Sequence, residues 1–251
     1  MSPPSRRIPW DDPAVSALTP ELRAGLATYW EARARSELRV SEAFRLLGEE
    51  LAVVGVSAVV RDMIDRAVTD EVRHAELCRT LAATYAGRAV APTRVTPVSL
   101  PPFEGATPEL RAALHVLALS CVNETIASSW LARCLQISRA PLARAVNRVH
   151  LREEVGHARL GWAHLASRNV TMQVRDKLGK WLRRILTANV PLWFTPDASL
   201  PEEGVPHHGV PSRSETRRVV LDAVRDVVLP GVAEVGVDPR SGHAWLADQE
   251  R

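Results

Sequence analysis

Aromatic residues are scarce in this chain. Phe, Tyr and Trp together make up 5% of its 251 residues. Strands draw heavily on aromatic and β-branched side chains, so the scarcity weighs against a β-sandwich. The Ala, Leu and Val that dominate instead suit packed helices. Lysine is almost missing: Lys177 and Lys180 are the only two, and Arg carries the remaining basic charge. With 32 basic against 29 acidic residues the net charge is only +3. No block of basic residues stands out, so nucleic-acid binding is not expected. Cysteine is sparse too. Cys78, Cys121 and Cys134 form no CxxC pair, which leads us to expect reduced thiols and a cytoplasmic address. The opening MSPPSRRIPWDDP lacks the apolar run of a signal peptide. The uncharged stretch Leu51–Val60, LAVVGVSAVV, is ten residues long, too short for a bilayer, and no membrane partner is expected.

What is present is a sizeable apolar fraction, 46%, enough to bury a core. Pro and Gly punctuate its outer parts. Residues 1–18 read as an irregular arm. Thr19-Pro20-Glu21 then reads as a helix start, with Thr19 as N-cap and Pro20 at the first helical position. The helical pattern runs to about Gly48. A second helix is expected from about Ser57 to Tyr85, stopping at Gly87. Pro92, Pro97, Pro101 and Pro102 mark residues 88–106 as a connection. Thr107-Pro108-Glu109 opens a third helix that ends near Ile137, and a fourth runs from about Pro141 to Ser167. TPELRAGL at 19–26 returns as TPELRAAL at 107–114. Each copy precedes a long helix, a turn and another long helix. The expectation is two helical hairpins joined by a long crossover, a four-helix bundle over residues 19–168. Residues 169–251 are expected to form extra C-terminal helices packed on it. One is an amphipathic helix with Val174, Leu178, Trp181, Leu182, Ile185 and Leu186 on its apolar face. Another is a short helix near Glu215–Val228.

Charge intrudes on the apolar stripes of the four long helices. The second has Glu71 and His74 between Ala67 and Cys78, and the fourth has Glu154 and His157 between Val146 and Leu160. Both pairs are Glu-x-x-His, the i, i+3 spacing that puts both side chains on one face. The third helix has Glu124 among Cys121, Ala127 and Leu131, and the first has Glu37 among Trp30, Ala34, Ser41 and Phe44. Glu42 competes for the first-helix position, but its neighbours are mixed and it misses the repeat register. Four inward carboxylates are tolerable only if cations lie between them. One Glu from each of two helices plus Glu-x-x-His from each of the others is the donor set of a di-iron or di-manganese site. Glu37 to Glu71 is 34 positions and Glu124 to Glu154 is 30, each step being two helix halves and a turn that returns to one level.

On these residues the chain resembles the ferritin-like superfamily of di-iron carboxylate proteins. Asp70–His74, DEVRH, is similar to the D-E-x-R-H form of ribonucleotide reductase small subunits and bacterial multicomponent monooxygenases. That resemblance implies that Asp70 supports a metal-bound His; in the second copy Glu153 stands where the Asp would be. His150, Glu154 and His157 form His-x-x-x-Glu-x-x-His, which resembles the p-aminobenzoate N-oxygenase family and implies that His150 is a further ligand. His164, a heptad on, is expected either to support a ligand from behind or to be structural. The resemblance implies an oxidoreductase holding two iron ions, or a Mn/Fe pair. Glu37, Glu71, His74, Glu124, His150, Glu154 and His157 would be its ligands, with O2 as co-substrate. It implies a small-molecule substrate, an amine in the N-oxygenase version, and an external electron donor, with a homodimer open. No separate catalytic residue is expected. A ferritin-like ferroxidase or iron-handling protein is the alternative. Ala75, Cys78, Cys121, Ala127, Ser128 and Gly161 are small, and either leave room for a substrate or let helices approach.

Overall fold

A computed structural model describes residues 7–92, 94, 97–195 and 197–251. Residues 1–6 of the expected arm and Thr93, Val95 and Thr96 of the expected connection lie outside the described residues. The described part is all-α. It contains no strand, only an isolated antiparallel bridge between Val205 and Val210.

The expected arm contains one helical turn, α1, Pro13–Ser16, followed by α2, Pro20–Val53. Thr19 caps α2, its hydroxyl accepting from Leu22 N at 3.3 Å. The helix does not stop at Gly48. That glycine lies inside it, where a Cβ would come 3.0 Å from Ile64 Cγ2, so its role is close approach to the next helix. After a short turn Ser57 caps α3, Ala58–Ala86, which Gly87 ends in a left-handed conformation at φ 66°. Thr107 caps the third long helix, α4, Pro108–Ile137. Within α4, Leu117–Glu124 is π-helical, a feature the sequence reading did not anticipate. By length and composition α4 could cross a membrane, which the reading of uncharged runs passed over, but 78% of its apolar window is buried inside the protein. The fourth long helix, α5, is Pro141–Ala166. Its first turn is capped from a distance: Asp12 Oδ2 accepts from Leu142 N at 2.8 Å, while Oδ1 accepts from Ala14 N at 2.9 Å.

α2 packs along the length of α3, α3 packs on α5, and α5 packs on α4. The register between α3 and α5 is antiparallel: His74 meets Glu153, and Asp70 meets His157. Two apolar clusters form toward the two ends of these helices. One joins Leu47, Leu51, Ile64, Leu114 and Leu160 to the C-terminal helices. The other gathers Trp30, Leu81, Tyr85, Leu142 and Leu200. Each buried side chain of this size is worth about 1.5–3 kcal/mol. In α2, α3 and α5 the unexplained carboxylates and imidazoles fall in the sequence gap between the two clusters, forming a polar layer with apolar packing on either side.

The C-terminal part adds α6, Met172–Asn189, on α4, and a 3-10 turn, Val190–Phe194. A segment from 197 to 212 then reaches back, its Ser199 hydroxyl donating to Gly25 O at 3.2 Å. His207 O accepts from the backbone N–H groups of Arg139 and Ala140. α7, Arg213–Ala223, continues through a π turn, Val224–Val228, into α8, Leu229–Glu234. α9, Arg240–Gln249, which had no clear sequence signal, packs on α6.

Candidate metal centre

The seven singled-out residues converge. Glu37, Glu71, His74, Glu124, His150, Glu154 and His157 are each at most 4% exposed. Two overlapping groups, Glu37, His74, His150, Glu154 and Glu71, His74, Glu154, His157, each offer four donor atoms within 4.8 Å of one another. Such a group could hold a metal ion. Glu124 completes the cluster from α4, beside Glu154 and Glu71. Glu42 does not take part. It lies near the surface and pairs with Arg45, 2.8 Å from Glu42 Oε2 to Nε.

Glu154 is the centre of the cluster. His150 Nε2 is 3.0 Å from its Oε1, His157 Nδ1 is 3.0 Å from its Oε2, and His74 Nδ1 is 3.5 Å from Oε1. Glu71 sits opposite, 2.9 Å from His157 Nδ1 and 3.4 Å from His74 Nδ1. These contacts are short, yet few are aligned as hydrogen bonds. Both oxygens of Glu71, Nδ1 of His74 and both ring nitrogens of His150 are buried without a hydrogen-bond partner. Orphaned buried acceptors are costly. Lone pairs that converge on a shared space instead of on hydrogens fit cations placed among them. Carboxylate with imidazole suits iron or manganese.

The two imidazoles from the Glu-x-x-His pairs are each backed by a carboxylate, crosswise, and only the first is hydrogen-bonded to it. His74 Nε2 on α3 is 3.0 Å from Glu153 Oε2 on α5, and His157 Nε2 on α5 is 3.5 Å from Asp70 Oδ2 on α3. Arg73 in turn binds Asp70 at 3.0 Å and Glu153 at 2.6 Å. With Nε2 turned toward these carboxylates, Nδ1 of each ring faces the cluster, the orientation that a supporting carboxylate favours in a ligating histidine. Glu153 therefore answers Asp70 in the second copy. The sequence alone showed only two adjacent glutamates there.

Without a cation, protons must relieve the repulsion. Burial, and after it the charge of Glu154, raises the Glu71 and Glu124 carboxyls above the usual range. Burial would raise Glu154 as well, but the imidazoles of His150 and His157 outweigh it and hold this carboxyl well below. Burial opposes charge on His74, yet Glu153 and Glu71 bring it up to about 10. His157, against Glu154 and Glu71, rises to about 12 despite burial. His150 goes the other way, lowered by burial and by His74, whose ring centroid is 4.1 Å away. His164 stands apart from the donor groups; burial lowers it to about 4.

α4 meets α5 closely at this level. Ser120 Oγ donates to His157 O and accepts from Gly161 N at 2.8 Å. A Cβ on Gly161 would lie 2.6 Å from that hydroxyl and 2.7 Å from Cys121 Sγ, so these small residues serve helix approach. Ala127 instead lines a cavity of about 480 Å3 whose wall includes Glu37, Glu124 and Glu154. Arg33 also lines it, with its guanidinium 5.0 Å from the Trp130 ring centre and 3.0 Å from Glu37 Oε1. Burial disfavours the Arg33 charge, but Glu37, Tyr29, Cys78 and Glu154 together outweigh it and hold the guanidinium protonated. Compared with known proteins, the chain matches no family profile, no curated protein and no solved structure.

Proposed function

We propose that this protein is a non-haem di-iron oxygenase of the ferritin-like superfamily, activating O2 to oxidise a small organic substrate, with N-oxygenation of an amine as the specific reaction. The observation that carries this reading is the position of the Glu and His donors: they form one dry layer, and three of the four carboxylates also face a cavity. The two-hairpin order of α2 to α5 supports the superfamily assignment. His150, buried one turn before Glu154 and 3.0 Å from it, supports the N-oxygenase version.

In this reading Glu71 and Glu154 would help hold the metal. His74 and His157 offer Nδ1, and Glu37, Glu124 and His150 complete the donor set. Bound iron would supply the electrons and Lewis acidity for O2 activation. The chain's own residues do the rest. Asp70 and Glu153 fix the imidazole orientation. Phe44, whose ring stands edge-on to His157 at 5.7 Å, helps exclude water. The aromatic and apolar wall of the cavity suits an organic molecule better than hydrated iron, which favours oxygenase over ferroxidase. Reducing equivalents come from an external donor.

The test is elemental analysis of the purified protein followed by O2 uptake of the Fe(II)-loaded protein with a panel of aryl and alkyl amines. About two iron or manganese ions per chain, and amine-dependent O2 consumption, are expected. Protein that folds with no transition metal and leaves O2 untouched refutes the proposal. Iron-dependent O2 uptake indifferent to every amine returns the ferroxidase alternative.

A further inference from the structure

The cavity is not built by α2, α4 and Glu154 of α5 alone. Its remaining wall comes from the 3-10 turn and from residues 197–216, including Trp193, Phe194, Leu200, Val210 and Arg213. Two of these side chains are pinned. Trp193 Nε1 donates to Asn123 Oδ1 at 3.2 Å, and Asn123 Nδ2 donates to Asn189 Oδ1 at 2.9 Å. Phe194 lies under the Arg217 guanidinium, 4.6 Å from ring centre to Cζ. Asn123 is also the residue before Glu124, at the end of the π segment. The indole is thus tied to the backbone turn that presents a cluster carboxylate. Trp130, also on the cavity wall, packs against it, their ring centres 6.5 Å apart.

We infer that the C-terminal extension forms the selecting wall of the site, and that Trp193 is its specificity-determining residue, setting the length of substrate that can lie between the Trp193–Trp130 pair and the carboxylates. An apolar cavity accepts each added methylene with about a fourfold gain in affinity until a wall is met. An indole held at its N–H and packed against Trp130 is such a wall. The inference rests on the proposed oxygenase reading only in its choice of an amine as probe.

The experiment measures binding of a homologous series, aniline through 4-hexylaniline, to the full-length protein with its native metal content, by titration calorimetry. Wild type should gain affinity with chain length and then stop. Trp193→Ala should carry the gain at least two methylenes further, binding the longest member about tenfold tighter or more, with metal content unchanged. Trp193→Phe should move the limit less. Trp181→Ala is the matched control: it removes a tryptophan of α6 that meets Phe103 edge-on, with ring centres 5.3 Å apart, away from the cavity. The inference falls if Trp193→Ala keeps the wild-type limit, if Trp181→Ala moves it equally, or if no member binds. It also falls if neither Trp193 variant folds, since the indole would then be a structural prop. A shifted limit in protein without iron or manganese would sustain this inference while refuting the oxygenase reading.

Discussion

Glu153 Oε2 lies 3.0 Å from His74 Nε2, holding from α5 an imidazole that belongs to α3, and Asp70 faces His157 Nε2 in the reverse direction at 3.5 Å. Removing either carboxylate's charge frees a ring to rotate and weakens its donor nitrogen. Glu153→Gln and Asp70→Asn should each lower metal affinity about 10–100-fold with little change in helical content, read by competition against a chelator. Equal affinity in all three proteins would deny the supporting role.

Metal uptake should release protons. His74 at about 10 and His157 at about 12 are both charged at neutral pH in the metal-free protein, and each must lose its proton to offer Nδ1. Affinity should rise between pH 6 and 9. Calorimetry in buffers of different ionisation enthalpy should report release of about one to two protons; a buffer-independent heat would contradict it.

Arg33→Met should cost stability unequally. Without metal, the substitution strands the buried Glu37 carboxylate and should destabilise by about 3–5 kcal/mol. With metal bound, Glu37 keeps a cation partner, and the loss should fall to about 1 kcal/mol for the missing stack on Trp130. Urea denaturation with and without a chelator separates the two, and identical losses would rule the idea out.

Two glycines on α5 should respond oppositely to alanine. At Gly161 the new Cβ meets Ser120 and Cys121 below 3 Å, while at Gly156 nothing lies within 4 Å. Gly161→Ala should destabilise by about 1–3 kcal/mol. Gly156→Ala, exposed and helical, should stabilise by about 0.5–1 kcal/mol. Denaturation midpoints decide.

His164 gives a pH signature outside the cluster. Burial lowers it to about 4, so it stays neutral in the folded state where the unfolded chain's imidazole, near 6.5, takes up a proton. Above pH 6.5 neither state is charged and the residue makes no difference. As pH falls from 6.5 to 4 the unfolded state binds more protons, and up to about 3 kcal/mol is lost. His164→Leu should flatten stability over that window relative to wild type, by chemical denaturation at stepped pH.

The polar layer was legible because helical periodicity is strict. Glu-x-x-His at i, i+3 can face inward only together, and the TPELRA repeat fixed Glu37 over Glu42 by register. Periodicity says nothing about which helix stands opposite, so the partnership of Glu153 with His74 needed the α3–α5 register. The π segment had no signature either. It is a choice of backbone hydrogen bonds, stabilised by the Ser120–Gly161 approach and the Asn123 tether, both long-range. Gly48 misled because a glycine demanded by the neighbouring Ile64 side chain looks, in one dimension, like a helix stop. The contribution of residues 193–216 to the cavity was invisible for the same reason: it depends on where a Pro- and Gly-rich segment comes to rest.

Asp12 spans two helices, accepting from Ala14 N with one oxygen and from Leu142 N with the other. The second of these helices carries His150, Glu154 and His157. A side chain far upstream thereby sets how far α5 can slide along its own axis. A turn of slippage would carry three of the seven donors out of the layer together, so the anchor for the chemistry begins at a residue well outside it.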